Sequence, residues 1–352
     1  MKKYFLLTII SFLLFSFTYG QKKEKIIVIK STEHQAERLY NDAVKSYESK
    51  QYAEAIDFLN QSLKINDSLA TSYHLLSIIQ QEMGNKQAAI QTLQTYSKAT
   101  QHKDTAAYMI AQVFYGDNNL DSASSYLNYC ISKNPSYFNA FYLLGNINFE
   151  QEKYNDAISN YTKVINISTT SADAYNDRAS AKRMLEKYDE AIEDYNMAIT
   201  LKKNALFYNN RGSAKMKLEK YDEAIEDYTT AILLDSNCYQ AINNRGVAKI
   251  EKKDYKGAIE DFNLCVKRKK DYYAAINNRG IAYYKNKRYK EAIEDFNFIL
   301  SVNPSEASAY LHRGNTKEML RDNEGACSDW KKAAELGIEE AEGYVKKQCE
   351  KQ

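Results

Sequence analysis

Arginine and aspartate recur together at a fixed spacing in the carboxy-terminal half of this sequence. A guanidinium can hold a carboxylate through two parallel hydrogen bonds, so the two residue types at matching places suit ion pairs between neighbouring segments. In each pair the Asp follows its Arg by sixteen residues: Arg178 and Asp194, Arg211 and Asp227, Arg245 and Asp261, Arg279 and Asp295, and Arg313 and Asp329. A row of ligand-binding arginines is the alternative, but a ligand would not require the matching Asp. We therefore expect structural ion pairs.

Residue types that commonly perform catalysis or hold metal ions are present but scattered. The four histidines form no His-x-x-x-His pair: His34, His74, His102 and His312. The sequence also lacks a Cys-x-x-Cys motif, a phosphate-binding glycine loop and a nucleophile elbow. Adjacent acids such as Glu193 and Asp194 recur with the Arg–Asp pairs and are explained by them. We expect no enzyme activity, no cofactor and no metal site.

Composition and charge favour a helical chain without a surface for nucleic acid. Only 2 of the 352 residues are Pro and 12 are Gly, which suits helices throughout. The formal net charge is +2, and it falls to zero without Lys2 and Lys3. Since general nucleic-acid binding needs a basic surface, we expect no nucleic-acid partner.

The first 20 residues have the pattern of a secretory signal peptide. Two lysines precede the uncharged run 4–19, and Thr18 and Gly20 are small residues at the positions that signal peptidase inspects. We expect cleavage before Gln21, export to the periplasm or cell surface, and no membrane insertion of the mature chain. An uncleaved membrane anchor is the alternative, although a spanning helix needs about 20 apolar residues. Residues 21–35 would then be a charged leader, whose short apolar patch could pair as a β-strand or cover the first helix.

Alanine marks a repeat that fills the rest of the chain. Seven of the eight intervals between equivalent alanines are 34 residues and one is 33: Ala55, Ala89, Ala123, Ala157, Ala191, Ala224, Ala258, Ala292 and Ala326. A period near 34 is typical of stacked helical hairpins, because one hairpin cannot bury its apolar face without neighbours. Numbered from 1 to 34, the repeats have a small residue at position 8, the marker Ala at 20 and a large residue at 24. Both prolines, Pro135 and Pro304, fall at position 32, where the second helix must stop.

This pattern resembles the tetratricopeptide repeat. The resemblance covers residues 36–340 in nine copies: 36–69, 70–103, 104–137, 138–171, 172–204, 205–238, 239–272, 273–306 and 307–340. It implies an all-α fold, a right-handed α-solenoid of nine helical hairpins. The stretch from Gly325 to Gly337 is similar to the last repeat of exported tetratricopeptide proteins from Bacteroidetes-type bacteria. Residues 341–352 would then form a capping helix over the last apolar face.

The resemblance also implies a concave ligand-binding surface, lined by positions 2, 5, 6, 9, 12 and 13 of the first helix in each repeat. In the carboxy-terminal half, positions 5 and 6 form an Asn ladder: Asn176, Asn209, Asn210, Asn243, Asn244, Asn277 and Asn278. In the amino-terminal half, positions 5 and 12 form an aromatic lining: Tyr40, Tyr47, His74, Tyr108, Tyr115, Tyr142 and Phe149. Amides suit the backbone of an extended peptide, whereas tyrosines suit peptide side chains or sugar rings. The alternative is that the Asn side chains bond to neighbouring helices and the aromatic rings merely pack.

Five cysteines follow the signal peptide, and an odd number leaves at least one free thiol. Cys327 lies at position 21 of the last repeat, and Cys349 lies in the following segment. Antiparallel packing could bring them together, so they are a candidate disulfide that would hold the cap in place. Cys238 and Cys265 are a weaker candidate pair, and Cys130 is expected to be a small buried hydrophobe.

These features predict a non-enzymatic scaffold or adaptor of the bacterial cell envelope that binds an extended polypeptide in its concave groove. Two alternatives stay open: a glycan-binding module that uses the tyrosine-lined half, and an architectural envelope assembly factor. Position 5 is never Lys and position 6 is never Arg, so the clamp with which some family members hold a free peptide carboxylate is absent. The expected partner is thus a protein or peptide, with a glycan as the alternative and the oligomeric state left open.

Overall fold

The computed structural model describes residues 23–349, with side chains described from residue 34 onward. Every regular element in this range is helical, comprising 19 α-helices and one π-helical turn. The prediction of an all-α fold built from helical hairpins is confirmed. The predicted signal peptide and residues 350–352 of the predicted cap lie outside the described residues. Within them, no helix combines the length and apolar character that crossing a membrane requires.

The chain divides into two compact units, residues 1–140 and residues 141–352. In unit 1 the first helices of the hairpins are α1, α3 and α5: Lys23–Glu48, Ala70–Glu82 and Lys103–Gly116. The second helices are α2, α4 and α6: Tyr52–Ile65, Lys86–Ala99 and Leu120–Lys133. Because α1 begins inside the predicted leader, the backbone of the apolar patch 26–29 is helical and is not a strand.

Unit 2 continues the alternation of first and second helices. Helix α7, Phe138–Glu150, runs from the end of unit 1 into unit 2. The later first helices are α9, α11, α13, α15 and α17: Ala172–Met184, Ala205–Lys217, Tyr239–Glu251, Tyr273–Lys285 and Ala307–Met319. The second helices are α8, α10, α12, α14, α16 and α18: Tyr154–Ile167, Tyr188–Leu201, Tyr221–Leu234, Tyr255–Arg268, Tyr289–Val302 and Asn323–Glu335. From α10 to α16, each second helix packs on the first helix of its own hairpin and on that of the next.

In the repeats with glycine at position 8, that glycine lies against the large side chain at position 24. In the seventh repeat, a Cβ atom on Gly246 would lie 2.7 Å from the ring of Phe262, closer than two carbon atoms can pack. Phe262 is fully buried, as is the marker Ala258 one turn earlier on α14. In the first repeat the position-8 residue is larger and the position-24 residue is smaller: Ala43 and Leu59 lie in one apolar cluster. The helices of a hairpin approach closely because side-chain volume at the two positions is complementary.

The turn inside each hairpin contains a residue in the left-handed backbone conformation at position 15. Only the second repeat has glycine there, Gly84, with a φ of 78°. The other eight repeats have a side chain at φ between 58° and 63°: Lys50, Asn118, Glu152, Glu186, Glu219, Lys253, Lys287 and Arg321. A side chain costs about 1 kcal/mol in this conformation, so packing of the two helices imposes the turn against local preference.

A short cap follows the last hairpin. Helix α19 spans Glu339–Tyr344 and continues as a π-helical turn over Val345–Cys349, so the cap begins two residues before the predicted boundary. Tyr344 stacks on the buried Trp330, with ring centroids 5.0 Å apart. The cap thereby covers apolar surface of α18 that would otherwise be open to water.

The cysteines fall into one disulfide and three free thiols. A disulfide joins Cys327 of α18 to Cys349 at the end of the cap. It restricts the unfolded chain between α18 and the cap, which favours the folded state. The second candidate disulfide is absent, because the other cysteines are free: Cys130, Cys238 and Cys265.

Candidate functional site

The first helices of unit 2 carry the predicted Asn ladder. Asn is a poor helix former because its side chain competes for backbone hydrogen bonds. At position 5 the amides are buried, with exposed fractions of 4%, 9% and 6% for Asn176, Asn209 and Asn243. At position 6 the amides are half-buried at the surface: Asn210, Asn244 and Asn278. This corrects the expectation that both positions face a peptide, because these three position-5 side chains lie inside the unit.

Hydrogen bonds between successive repeats join the two positions of the ladder. Asn210 Nδ2 donates to Asn176 Oδ1 over 3.0 Å, and Asn244 Nδ2 donates to Asn209 Oδ1 over 3.1 Å. The same bond joins the next two repeats over 3.0 Å. At position 5, the alternative in which the amides bond to neighbouring helices is therefore the one observed.

Within a repeat, the position-5 amide donates to its neighbour at position 6, so the bonds form a continuous chain. Asn209 Nδ2 donates to Asn210 Oδ1 over 3.4 Å, and Asn176 Nδ2 donates to Asp177 Oδ1 over 3.0 Å. The other oxygen of Asp177 accepts from the Tyr142 hydroxyl. Because all the amide donors point the same way, the ladder ends on a carboxylate and its bonds polarise one another.

Both ends of the ladder depart from the repeating pattern. Burial raises the pKa of Asp177, while the hydrogen bonds from Tyr142 and Asn176 oppose that rise. At the other end, Asn277 Oδ1 is buried without a hydrogen-bond partner. The following repeat has His312 where the earlier repeats have a donating Asn. Burial lowers the pKa of His312, so this side chain is neutral at neutral pH.

Each of the five predicted arginines is committed to its aspartate. In the seventh repeat, Arg245 donates from Nε and Nη2 to the two oxygens of Asp261, over 3.0 and 2.6 Å. Its Nη1 donates to Thr229 on the preceding second helix over 3.2 Å, so one side chain connects two repeats. The same paired bonds occur in the other four repeats. With both donor edges in use, these arginines have a structural role.

A lysine at position 11, which the Arg–Asp spacing does not reveal, completes four of these ion pairs. Lys249 Nζ lies 2.8 Å from Asp261 Oδ2. Equivalent lysines contact their own aspartates: Lys182, Lys215 and Lys317. The eighth repeat has Tyr283 at this position, and burial raises the pKa of Asp295 there against the opposing effect of Arg279. The constant interval of twelve residues from Lys to Asp is the sequence signal that identifies these lysines.

The predicted aromatic lining is divided between the two units. Unit 1 holds five of its members: Tyr40, Tyr47, His74, Tyr108 and Tyr115. In unit 1 the hydroxyls of Tyr47 and Tyr52 each donate to a different oxygen of the exposed Glu82, over 2.7 Å. Unit 2 holds Tyr142 and Phe149, whose ring lies edge-on to Tyr154 with centroids 5.4 Å apart. All seven predicted residues are half-buried, so each has a packing role beside any surface it offers.

The lining of unit 2 also contains a cation that the predicted set omits. Arg183 occupies position 12 of the fifth repeat, in the last turn of α9. The next three repeats have Met216, Ile250 and Tyr284 at this position. The signal that identifies Arg183 is that no other repeat has a cation at position 12.

The chemistry of these surfaces is recognition through amides, hydroxyls and apolar contact. Among the described residues, no group of three His, Cys, Asp or Glu side chains is placed to hold a metal ion. Burial raises the pKa of the Cys130 thiol to about 12 and that of Cys265 to about 11. Both thiols are therefore protonated at neutral pH, which removes their nucleophilic form.

Models of known families match consecutive parts of the chain. A tetratricopeptide-repeat model matches residues 172–204, 205–238 and 273–306, and a second model of the same description matches residues 239–272. Residues 95–164 match the family of subunit 3 of the anaphase-promoting complex, or cyclosome. The search of curated proteins produced no match.

Solved structures with this fold include several repeat proteins. The C-terminal part of a TPR repeat-containing protein from Cytophaga hutchinsonii is 15% identical, with a TM-score of 0.53 over 68% of this chain and 98% of that one. A tetratricopeptide repeat protein from Parabacteroides merdae is 17% identical, with a TM-score of 0.50 over 71% and 99%. The APC/C hetero-tetramer Cut9–Hcn1 is 13% identical, with a TM-score of 0.51 over 89% and 96%. At these identities the structures show the fold alone, and the family models identify residues 172–306 of the chain as similar to tetratricopeptide repeats.

Proposed function

We propose that this protein is a non-enzymatic scaffold that binds an extended polypeptide along the first helices of unit 2. Tetratricopeptide repeats indicate a protein–protein interaction scaffold, which is the general basis of the proposal. The observation that carries it is the repeated half-buried amide at position 6: Asn210, Asn244 and Asn278. A primary amide has two N–H donors and two acceptor lone pairs. Asn210 and Asn244 each use one donor and one acceptor in the ladder, so one of each stays available.

These free donors and acceptors suit a peptide backbone. An extended polypeptide presents alternating N–H and C=O groups at its edges, and each can pair with an amide side chain. The ladder bonds prevent the position-6 amides from rotating freely, so less side-chain entropy is lost when a peptide binds. The buried position-5 amides thus support the binding surface from beneath without forming part of it.

The proposal includes export to the cell envelope. The amino-terminal segment has the pattern of a secretory signal, and the disulfide between Cys327 and Cys349 suits an oxidising compartment. The resemblance of the last repeat to exported Bacteroidetes-type proteins supports the same location. The fold neighbours from Cytophaga hutchinsonii and Parabacteroides merdae are compatible with that resemblance at the level of fold.

The test is a pull-down from an envelope fraction with residues 21–352 as bait. One variant carries Asn210→Ala and Asn244→Ala. A matched control carries Asn155→Ala and Asn166→Ala, two exposed amides on the second helix α8. We expect a specific protein to be retained by the wild type and the control and to be lost from the ladder variant, with unchanged helicity. Overlapping synthetic peptides should then map the retained segment.

Other outcomes would reject groove binding. Equal retention by all three proteins would place the site elsewhere, on the outer surface or in unit 1. A glycan ligand is the second candidate, because Glu82 keeps acceptor lone pairs between the hydroxyls of Tyr47 and Tyr52. Binding to a glycan array that Glu82→Gln abolishes, without any protein partner, would replace the polypeptide proposal.

A further inference from the structure

Arg183, at position 12, differs from the five half-buried arginines that unit 2 has at position 7. Those five arginines each hold an Asp with Nε and Nη2, as Arg245 holds Asp261. Arg183 forms no ion pair with any described acidic residue, and its Nε is buried without a hydrogen-bond acceptor. A buried unpaired donor is rare in folded proteins and requires a specific explanation.

Two buried carboxylates of the same hairpin are already in use. Asp194 accepts from Arg178 over 2.6 Å and lies 2.9 Å from Lys182, so two cations share it. Asp177 is buried at the end of the Asn ladder, where it accepts from Asn176 and from a tyrosine hydroxyl. Neither carboxylate pairs with Arg183, although both lie in the same hairpin.

The neighbours of Arg183 include neutral tyrosines. Ser180, one turn earlier on α9, donates its hydroxyl to the backbone oxygen of Asn176 over 3.0 Å. Tyr195 must therefore donate the 3.0 Å bond that joins it to Ser180. Burial raises the pKa of Tyr195, and its hydrogen bond with Ser180, the positive charge of Arg183 and a hydrogen bond with Arg183 oppose the rise. Arg183 opposes the rise of the pKa of Tyr228 on α12 in the same way. These responses place the cation beside two phenols that do not neutralise it.

We propose that Arg183 anchors an acidic side chain of the bound polypeptide, so that the groove selects extended segments with an Asp or Glu opposite α9. The inference rests on the proposed function and adds the chemistry of the ligand. Arg183 as a whole is half-buried although its Nε is buried, so part of the side chain stays open to solvent, where a carboxylate can approach. A charge-assisted, two-point bond to a carboxylate is the arrangement that this protein already uses five times.

A purely structural explanation is also available and must be separated from binding. Arg183 lies in the last turn of α9, where the helix dipole favours a cation. A cation with only a structural role would produce no preference between acidic and neutral ligands. An anchoring arginine, in contrast, would impose a preference for acid at one position of the peptide.

The experiment is selection of a random linear peptide library on residues 21–352. The wild type is compared with Arg183→Gln and with Lys256→Gln, which removes an exposed charge from α14 on a second helix. We expect the wild type and the Lys256→Gln control to enrich peptides with Asp or Glu at one aligned position, and Arg183→Gln to lose that preference. A selected peptide should bind Arg183→Gln at least about tenfold more weakly. Replacing its acid by the matching amide should weaken binding to the wild type alone.

Each further outcome decides between the two proposals. Enrichment of peptides without an acidic preference, or a preference that Arg183→Gln retains, would overturn the role of Arg183 and leave groove binding intact. No enrichment at all on the wild type would overturn the proposed function itself, and this inference with it. If Arg183→Gln lacks the helicity of the wild type, Arg183→Lys is used instead. For each protein, the affinity for the acidic peptide is divided by the affinity for its amide counterpart. The same ratio in the wild type and in Arg183→Lys would contradict recognition of the carboxylate through two hydrogen bonds.

Discussion

Replacing Asn243 by Ala should destabilise unit 2 more than the same change at Asn277, although both residues occupy position 5 of neighbouring repeats. Asn243 Oδ1 accepts from Asn278 over 3.0 Å, and Asn243 Nδ2 donates to Asn244 over 3.3 Å. Asn277 Oδ1 is buried but has no donor. The two substitutions remove the same side chain from equivalent positions. They differ in the hydrogen bonds that they break and in burial, since Asn243 is buried and Asn277 is half-buried.

The expected difference follows from those bonds. At about 1 kcal/mol net for each hydrogen bond, the loss at Asn243 is about 2 kcal/mol. Asn244 and Asn278 are half-buried and can bond to water, so the stranded groups add little to this cost. At Asn277 the change also removes an unpaired buried acceptor, which offsets any packing loss. The better helix propensity of Ala applies to both variants and cancels in the comparison.

The assay is urea unfolding followed by far-ultraviolet circular dichroism, with the free energies of unfolding of the two variants compared. Because repeat arrays can unfold in parts, amide hydrogen exchange of α13 and α15 should accompany it. We expect Asn243→Ala to lose about 2 kcal/mol more than Asn277→Ala and to speed exchange in α13. Equal losses in the two variants would refute the view that bonds between repeats, rather than side-chain volume, give the ladder its contribution to stability.

Two further predictions concern packing and protonation. Gly246→Ala should lower the free energy of unfolding by about 1 kcal/mol, since overpacking against Phe262 outweighs the helix preference of Ala, and Phe262→Leu should reduce that cost in a double-mutant cycle. An equal cost of Gly246→Ala in both backgrounds would contradict a contact between the two side chains. Burial lowers the pKa of both His74 and His312, so the unfolded chain binds more protons below about pH 6.5 and stability should fall from pH 7 to pH 5. His312→Gln should reduce this fall in melting experiments, by up to about 1.4 kcal/mol per pH unit, and an unchanged pH dependence would show that His312 is not buried as a neutral side chain.

The ion pairs were predictable because a charged side chain in a helical hairpin needs a partner, and that need appears in the sequence. Arg245 and Asp261 keep their interval in five repeats, and an antiparallel hairpin brings that interval together. The lysine at position 11 could be predicted for the same reason, since Lys249 contacts the carboxylate of Asp261. Because the pairing recurs in several repeats, it is visible in a single sequence.

Which of two adjacent amides is buried could not be predicted in this way. Asn209 and Asn210 are the same residue type at neighbouring positions, yet Asn209 is buried and Asn210 is half-exposed. Which of them lies inside depends on how α9 and α11 are rotated against each other, and that rotation is set by packing in the core. The sequence gives identical chemistry at both positions, so only the geometry of the packed helices distinguishes them.

The sequence alone is enough to predict the helical hairpins, their period, the close approach at positions 8 and 24, and the Arg–Asp pairs. These features depend on local propensity, residue volume and charge pairing, which recur in several repeats and are therefore visible as a period in the sequence. Only the packed structure reveals the burial of three position-5 amides and the two buried atoms without a partner, Oδ1 of Asn277 and Nε of Arg183. Whether a polar atom finds a partner depends on groups from different repeats that only the packed chain brings together.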